Sequence, residues 1–244
     1  MPHFFINSEN KNKNIITVSD ASNYQHIVKS LRSNIGERLL LIDENEIEYD
    51  TIIKDITKNS VLCEITDSQK SIRKLSYDLY LAQSPLRSDA QIVIIEKATE
   101  LGVAGVYPIY TDNCALKRSV IEQKIEKWQN SMYAASKQCE RANIPTCFPL
   151  STLDEVVNCQ KFDKVLALCE RECSSSLKEY LRVNKINKGE KVLLIIGPEG
   201  GFSEKEFTYF RANSIPMLTL GDLILKAETA VIVTLGNVIY ESGR

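Results

Sequence analysis

Two glycine-marked turns in the last third of the chain have the residue types that a ligand site needs. The first, Gly197–Gly201, follows the apolar run Val192–Ile196, and the second begins at Gly221 after an apolar run that ends at Leu220. Because glycine has no side chain, the main-chain N–H and C=O groups of such turns can contact a flat polar ligand. Two turns of this kind, each at the end of a strand, predict a small-molecule site.

The residues within and after the first turn also predict its shape. Pro198 fixes its own φ angle, while Gly200 and Gly201 can adopt backbone conformations that are closed to other residues. Ser203 has Glu206 three residues later, which is the spacing of a capping box at a helix start. A tight strand-to-helix turn explains either loop taken alone. The prediction of a ligand site therefore depends on the pair.

Several common chemistries lack their motifs in this chain. The sequence has no Gly-x-Gly-x-x-Gly after a strand, no Gly-Lys-Ser/Thr loop, no Gly-x-Ser-x-Gly and no His-Glu-x-x-His. Its 2 histidines, His3 and His26, are far apart in sequence and away from any cysteine pair, so no metal site is expected. Dinucleotide binding, ATP hydrolysis, serine hydrolysis and zinc proteolysis therefore lose support.

The composition is typical of a globular protein with a substantial core. The 244 residues suit one large domain or two modest ones, and 43% of them are hydrophobic and 25% charged. No run approaches the roughly 18 apolar residues of a membrane span, and Met1–Asn14 lacks the pattern of a signal peptide. The 7 cysteines include no Cys-x-x-Cys, which favours reduced thiols in the cytoplasm. With a net charge of −2, any nucleic-acid contact must depend on local basic clusters.

Residues 1–72 are dominated by strand signals and predict a small barrel-like domain. One helix, Asp20–Arg32, interrupts the strands and ends before Gly36. The polar and basic segment 69–74 is interpreted as the linker to the next domain. The predicted strands are Ile15–Val18, Arg38–Ile42, Glu46–Ile56 and Ser60–Ile65.

Residues 73–244 alternate between strand and helix, which predicts an α/β domain with a mostly parallel sheet covered on both faces. Ser88 and Gln91 have capping-box spacing, and an apolar stripe from Ile121 to Cys139 predicts one long helix that starts at Ser119. Ligands of such sheets bind at the carboxyl ends of the strands. The predicted strands are Asp78–Gln83, Val103–Tyr110, Lys164–Leu168, Val192–Ile196 and Ile215–Leu220, and the remaining helices are Leu153–Cys159, Ser174–Val183, Ser203–Ala212 and Ala227–Tyr240.

Seven stretches spread along most of the chain carry a resemblance to one family. They are Met1–Phe5, His26–Arg32, Leu81–Gln83, Glu96–Val103, Ala134–Arg141, Ile196–Glu206 and Leu220–Ala230. In this order and spacing they resemble the bacterial enzymes that methylate N3 of a uridine in 16S ribosomal RNA, which belong to the SPOUT superfamily of knotted methyltransferases.

The resemblance implies a fold, a cofactor and partners. It implies a PUA-like, RNA-binding β-barrel for residues 1–72, and a SPOUT α/β domain with a deep trefoil knot for residues 73–244. S-adenosylmethionine is expected to bind in a bent form inside the knot. The substrate is expected to be 16S rRNA in the 30S ribosomal subunit, and the enzyme is expected to act as a cytoplasmic homodimer without a metal or a membrane.

The resemblance also implies which residues surround the cofactor. Three loops would contribute, one after each of three strands, and their glycines would let main chain pack against the adenosyl group. Backbone amides in these loops can contact the adenine edge. The implied cofactor-binding residues are Leu168, Cys169, Glu170, Gly197, Pro198, Glu199, Gly200, Gly201, Leu220, Gly221, Leu225, Lys226 and Thr229.

Glu228 and Arg141 are the candidates for catalytic residues. Methylation at N3 requires removal of the N3–H proton, and a carboxylate such as Glu228 or an oriented backbone carbonyl can accept it. Glu228 is also explained as a carboxylate that complements a helix dipole. The basic residues expected to contact RNA phosphates are His3, Lys29, Arg32, Arg87, Lys97 and Arg118.

Several positions depart from the family pattern. Leu223 replaces an arginine, and Lys226 keeps the positive charge of an arginine but loses its bidentate reach. His3 stands where arginine is common, and Ala90 where lysine is common. Lys137 and Glu140 stand where glutamate and glycine are usual. These changes put the orientation of the RNA in doubt and leave the backbone-based cofactor site intact.

Two alternative functions are open from the sequence. One is another SPOUT activity, ribose 2′-O-methylation, to which Ile215–Met217 is faintly similar. The run that usually follows in that branch, a glycine and Ser-Leu-Asn, is absent here, as is its upstream Asn/Arg motif. The other alternative is a non-catalytic RNA-binding factor in ribosome assembly that kept the fold and lost turnover.

Overall fold

The protein, described here by a computed structural model over residues 2–243, divides into two compact units. The first unit comprises residues 2–74 together with the segment Lys137–Asn143, and the second comprises residues 75–136 and 144–243. The predicted boundary after residue 72 falls near this division. The segment Lys137–Asn143 lies in the predicted second domain, whereas contacts assign it to the first unit.

The first unit contains one six-stranded sheet, a 3-10 turn at Ser8–Asn10 and a short helical segment. Helix α1 (Ala21–Gln25) continues directly into a π turn over His26–Ser30, where the sequence predicts a single helix. Asp20 caps α1 by accepting a hydrogen bond from the N–H of Asn23 at 2.8 Å. The strands are β1 (His3–Phe5), β2 (Lys11–Asn12), β3 (Ile15–Val18), β4 (Arg38–Ile42), β5 (Ile47–Ile56) and β6 (Val61–Lys70).

This sheet is open: where the sequence predicts a barrel-like domain, the described strands form no closed barrel. Its strand order is β1-β4-β5-β6-β3-β2, and within the described residues no pairing joins β1 to β2. Both edge strands are very short, with 3 and 2 residues, and therefore offer few groups for closure. The unit still has its own core, which includes the fully buried Phe4, Ile16, Ile27, Leu39 and Ile53.

The second unit is built on a seven-stranded sheet in which every recorded pairing between strands is parallel. The strands are β7 (Asp78–Gln83), β8 (Gly105–Pro108), β9 (Thr146–Cys147), β10 (Lys164–Leu168), β11 (Ser175–Ser176), β12 (Lys191–Ile196) and β13 (Met217–Thr219). The helices are α2 (Ser88–Glu100), α3 (Arg118–Glu122), α4 (Ile125–Gln138), α5 (Leu153–Asn158), α6 (Leu177–Val183), α7 (Glu204–Ala212) and α8 (Ala227–Ser242). The strand order is β11-β13-β10-β12-β7-β8-β9.

Helices cover both faces of this sheet, as the alternating sequence pattern predicts. Leu79 and Leu81 of β7 join a core cluster that contains residues of α2 and α8. Ala82 lies on the opposite face, in a cluster with Phe207 and Phe210 of α7. Because both faces are buried, the central strands need apolar side chains at consecutive positions. The predicted α/β fold with a parallel sheet covered on both faces is confirmed.

The prediction of one long helix from Ser119 is wrong, because this segment forms two helices, α3 and α4. The N–H of Lys124 donates to the carbonyl of Ile121 at 2.8 Å, which closes a tight turn. The next helix then starts, with the N–H of Trp128 donating to Lys124 O at 3.0 Å. The predicted buried stripe survives the break, since Ile121, Trp128, Met132 and Ala135 are all buried.

Two further local predictions are corrected. The N-cap position of α2 falls on Arg87 and not on Ser88, since the helix already includes Ser88; Gln91 Oε1 accepts from the N–H of Leu86 at 2.8 Å. The segment 69–74 is not purely a linker, because Gln69 and Lys70 extend β6. Both predictions used local signals, namely capping-box spacing and polarity. The extent of a strand depends instead on pairing with residues that are neighbours in space.

Candidate cofactor and active site

Three neighbouring strands end at one edge of the second sheet and lead into the three candidate cofactor loops. β10 lies between β12 and β13, and Leu168 is paired with Ile196 on one side and with Leu218 on the other. The loops 169–174, 197–203 and 220–226 therefore start side by side. This edge lies at the carboxyl ends of parallel strands, where open α/β sheets bind their ligands.

Loop 197–203 exposes main chain at its tip. Gly197 and Pro198 are buried, whereas Glu199 and Gly200 are exposed. Gly201 has a φ of +70°, in the region that favours glycine, and its N–H donates to the carbonyl of Pro198 at 3.0 Å. This turn matches the one that the glycines and the proline predict.

The loop also fits closely against its surroundings. A Cβ atom added to Gly200 would lie 3.1 Å from Cβ of Asn113, and one added to Gly197 would lie 3.3 Å from the ring of Phe202. Both distances are tighter than ordinary contacts between carbon atoms. A side chain at either position would therefore require a small shift of the loop or of the neighbouring Asn113 or Phe202.

Asn113 and Asp112, which follow β8, hold loop 197–203 in place, and they are missing from the sequence prediction. Asn113 Nδ2 donates to the carbonyls of Gly200 at 3.3 Å and Gly201 at 3.1 Å. Asp112 Oδ2 accepts from Ser203 Oγ at 2.7 Å. The sequence does contain a signal that could have identified them: Asp and Asn favour turns, and this pair lies shortly after the predicted strand Val103–Tyr110.

The predicted capping box at the start of α7 is confirmed. The N–H of Glu206 donates to Ser203 Oγ at 3.3 Å, and the N–H of Ser203 donates to Glu206 Oε2 at 2.7 Å. Glu206 Oε1 also accepts from the N–H of Asp112 at 3.1 Å. The cap therefore fixes both the helix start and the neighbouring loop.

Buried polar groups lie beneath this edge, at the ends of β7 and β8. Ser84 donates its N–H to Ile196 O at 3.1 Å, and its hydroxyl is 2.7 Å from that of Thr111. Gln83 is fully buried and donates from Nε2 to Ser84 O, while its Oε1 has no partner among the described residues. These contacts tie β7, β8 and β12 together below the loops.

The loop after β10 contains two neutral thiols. Leu168 and Cys169 are buried, and Glu170 is exposed. Burial raises the pKa of the Cys169 thiol to about 12, and it also raises the pKa of Cys173. Cys173 Sγ donates to the carbonyl of Cys169 at 3.2 Å. Since the thiolate is the nucleophile, both cysteines are structural here.

The loop after β13 is the most exposed of the three. Thr219 Oγ1 accepts from the N–H of Gly221 at 3.2 Å and donates to its carbonyl at 2.9 Å. Gly221 has a φ of +137°. Leu223 is 82% exposed and Ile224 is 71% exposed, an unusual state for large apolar side chains. The loop thus offers both bare main chain and apolar surface to a ligand.

The start of α8 completes this edge. Lys226 is exposed and occupies the position directly before the helix. Among the described residues, no side chain caps this helix start. Glu228 lies half-buried in the first turn, and Thr229 is exposed. A carboxylate in the first turn is favoured by the positive end of the helix dipole. Leu225 is half-buried next to Lys226.

Arg141, the other catalytic candidate, belongs to the first unit rather than to the unit that contains Glu228. It is 7% exposed, and its Nε and Nη2 donate to Asn143 Oδ1 at 3.2 and 2.8 Å. Burial lowers the pKa of its guanidinium to about 10. The side chain therefore remains charged at neutral pH.

The candidate RNA-binding residues of the first unit differ in accessibility. Lys29 and Arg32 are exposed, on the π turn and directly after it. His3 is 6% exposed on β1, and burial together with the Arg73 charge lowers its pKa to about 4. His3 is therefore neutral at neutral pH and supplies no positive charge.

The candidate RNA-binding residues of the second unit lie on α2 and α3. Arg87 is exposed immediately before α2. Lys97 forms an ion pair with Glu100 at 2.8 Å, one turn further along the same helix. Arg118 is exposed at the start of α3, with its guanidinium 5.1 Å from the centre of the Tyr110 ring.

Two other kinds of feature are absent from residues 2–243. No group of three or more metal-ligating side chains is positioned to hold an ion within this range. Among the described helices, none is long and apolar enough to cross a membrane.

The fold and this edge define the class of the protein: a SPOUT-type α/β protein with a candidate ligand site made largely of main chain at three strand ends. The chain belongs to the RNA methyltransferase domain family, whose model matches residues 73–239. A model of the RNA methyltransferase PUA domain matches residues 18–66.

Individual relatives extend over nearly the whole chain. The ribosomal RNA small subunit methyltransferase E of Bacillus subtilis (strain 168) is 26% identical over 222 residues, which is 89% of this chain and 87% of the relative. The protein of the same name from Rickettsia conorii is 29% identical over 237 residues, covering 96% and 93% of the two chains. A Legionella pneumophila structure in complex with bound SAM has a TM-score of 0.84 at 27% identity, over 98% of this chain and 97% of that one.

Proposed function

We propose that this protein transfers the methyl group of S-adenosylmethionine to N3 of a specific uridine in 16S rRNA of the small ribosomal subunit. The observation that carries the proposal is the set of three main-chain loops at adjoining strand ends, in a chain of the RNA methyltransferase family. Relatives named ribosomal RNA small subunit methyltransferase E support the choice of RNA.

The residues of the three loops fit S-adenosylmethionine. Exposed main chain at Gly200 and Gly221 is available for the polar edge of adenine and for the ribose. The apolar side chains Leu223, Ile224 and Leu225 can cover the adenine face. When bound, S-adenosylmethionine supplies an electrophilic methyl group on a sulfonium. The other residues proposed to bind it are Leu168, Cys169, Glu170, Gly197, Pro198, Glu199, Gly201, Leu220, Lys226 and Thr229.

The side chains of this protein would then orient the uracil and accept its N3 proton. Holding the reacting atoms in line can account for a large part of the acceleration. Glu228 is the proposed proton acceptor, because it is a carboxylate in the first turn of α8, directly after the loop that follows β13. Arg141 is proposed to hold the substrate by its buried positive charge.

The first unit is proposed to bind RNA around the target nucleotide. A match to the RNA methyltransferase PUA domain supports this role. The residues proposed to contact phosphates are Lys29 and Arg32 of the first unit and Arg87, Lys97 and Arg118 of the second. The burial of His3 makes it the weakest member of the predicted set.

A homodimer is proposed as the active form. Since the substrate is ribosomal, we place the reaction in the cytoplasm.

Two alternatives make different chemical predictions. Ribose 2′-O-methylation would use the same cofactor loops and modify a hydroxyl instead of a ring nitrogen. A non-catalytic assembly factor would bind the ribosomal RNA without methyl transfer. The exposed main chain of the three candidate loops disfavours the second alternative, because loss of chemistry would remove the need for bare main chain at this edge.

The deciding experiment uses 30S subunits from a strain that lacks the gene. We expect the purified protein and S-adenosylmethionine to add one methyl group per 16S rRNA, and nuclease digestion with mass spectrometry to locate it on a uracil base. A methyl group on ribose would support the first alternative. Cofactor binding without transfer would support the second.

A further inference from the structure

Five residues of the second unit line a cavity of about 210 Å³ that lies outside the candidate cofactor loops. Asp89 and Ile92 come from the first turns of α2, and Lys127 and Trp128 from the first turn of α4, with Lys124 directly before it. Trp128 belongs to the buried stripe of α4, and the other four residues have no part in the candidate cofactor loops. The cavity thus lies between the starts of two helices.

The cavity lies towards the same edge of the sheet as the cofactor loops. α2 follows the carboxyl end of β7, and α4 follows, after α3, the carboxyl end of β8. The loop that leads from β8 to α3 contains Asn113, which contacts Gly200 and Gly201. A polymer bound at the cofactor edge could therefore continue towards the cavity.

The lysines give the cavity an affinity for phosphate. Lys124 is half-buried and Lys127 is exposed, and neither takes part in any ion pair found among the described residues. Two ammonium groups at one cavity are a common way to neutralise a phosphate of a nucleic-acid backbone. The start of α2, which Arg87 does not cap with its side chain, adds the positive end of a helix dipole.

The remaining lining residues favour a nucleotide of RNA over a free anion. Asp89 would repel an isolated phosphate, but its carboxylate can accept a hydrogen bond from a ribose 2′-hydroxyl, the group that distinguishes RNA from DNA. Ile92 and the buried Trp128 supply the apolar part of the lining. The volume is adequate for a ring, since an apolar cavity of about 150 Å³ accepts benzene.

We propose that this cavity binds one nucleotide of the RNA substrate next to the nucleotide that is methylated. Lys124 and Lys127 contact its phosphate, and Asp89 accepts a hydrogen bond from its 2′-hydroxyl. Ile92 and Trp128 contact the apolar side of the sugar. The inference rests on the proposed function, because it takes RNA to be the substrate.

The test compares a Lys124→Ala/Lys127→Ala variant with a Lys178→Ala/Lys185→Ala control, whose two lysines are exposed elsewhere on the second unit. In methylation assays on 30S subunits, we expect KM for the subunit to rise about tenfold in the first variant while kcat stays unchanged. The slope of log affinity against log salt should fall by about 0.7 to 0.9, the contribution of one phosphate contact, because both lysines are proposed to contact the same phosphate. The control should behave as the wild type.

A second variant tests the role of the carboxylate. We expect Asp89→Ala to weaken binding of a 16S rRNA fragment about fivefold and to leave binding of the DNA fragment of the same sequence unchanged. Equal effects on RNA and DNA, or wild-type KM and salt slope in the double lysine variant, would overturn the proposed nucleotide site. Failure of the wild type to methylate 30S subunits would instead overturn the proposed function.

Discussion

At the level of single residues, the candidate site depends on glycines, whose lack of a side chain leaves the main chain bare. Gly200 lies so close to Asn113 that a Cβ atom would come within 3.1 Å of another carbon, and its carbonyl is held by the same asparagine. The main chain at this point is therefore both exposed and fixed. Such pre-ordering lowers the entropy cost of binding a ligand.

Gly200→Val is expected to abolish binding of S-adenosylmethionine, because the branched side chain must push loop 197–203 away from Asn113. Isothermal titration calorimetry measures the effect, and a melting curve shows whether the variant is folded. A folded variant that retains micromolar affinity would contradict the placement of the cofactor at this loop.

A matched pair of alanine variants separates ligand contact from backbone strain. Gly201 has a φ of +70° and Gly189 a φ of +82°, and a Cβ atom at either position meets open space. Both Gly201→Ala and Gly189→Ala should therefore cost about 1 kcal/mol of folding free energy. We expect only Gly201→Ala to weaken cofactor binding.

Glu228→Gln is expected to lower the single-turnover rate of methyl transfer by about 100-fold, because the amide cannot accept the N3 proton. Cofactor affinity should stay within a factor of two or so of the wild type. Glu241→Gln, an exposed change near the other end of α8, serves as the control. A full single-turnover rate in Glu228→Gln would assign proton transfer to another group.

At the level of secondary structure, the adjacency of β10 and β12 is what brings two of the loops together. The pairing runs from Lys164 with Val192 to Leu168 with Ile196. Near the opposite edge of the sheet, Lys164 Nζ lies 2.6 Å from Glu190 Oε2. The hydrogen bond from Lys164, followed by those from Asn187, lowers the pKa of Glu190 to about 2.

Glu190→Gln is expected to lower the melting temperature at pH 7 by about 2–4 °C, corresponding to roughly 1 kcal/mol. Since the pKa of Glu190 is lower in the folded than in the unfolded state, its contribution is complete above the ordinary value of 4.5. It is lost as the pH falls through about 2. Melting curves of both proteins between pH 7 and pH 2 should therefore converge at the acid end. A difference independent of pH would contradict this.

Secondary structure was predictable where the pattern is local and strong. The run Val192–Ile196 is apolar at every position, as a strand buried on both faces requires, and β12 spans it. The capping box of Ser203 and Glu206 marked the start of α7. The break between α3 and α4 was missed because the apolar stripe from Ile121 continues across it without a change of period.

At the level of the whole molecule, a cofactor that binds only the folded protein must stabilise it. At a concentration of S-adenosylmethionine 100 times its Kd, the gain is about 2.7 kcal/mol. For a chain of this size it should raise the melting temperature of the second unit by about 5–10 °C. Differential scanning calorimetry with and without the cofactor measures the shift. Unchanged melting in the presence of the cofactor would count against the site.

The sequence by itself determined the composition of the two parts, most of the strands and helices, and the two glycine-marked turns, because these features depend on neighbouring residues. Tertiary structure decided which strand ends lie side by side, since that follows from pairing between residues far apart in the chain. It therefore also decided that Asp112 and Asn113 hold the Gly200 turn, that His3 is buried, and that Lys124 and Lys127 share a cavity with Asp89.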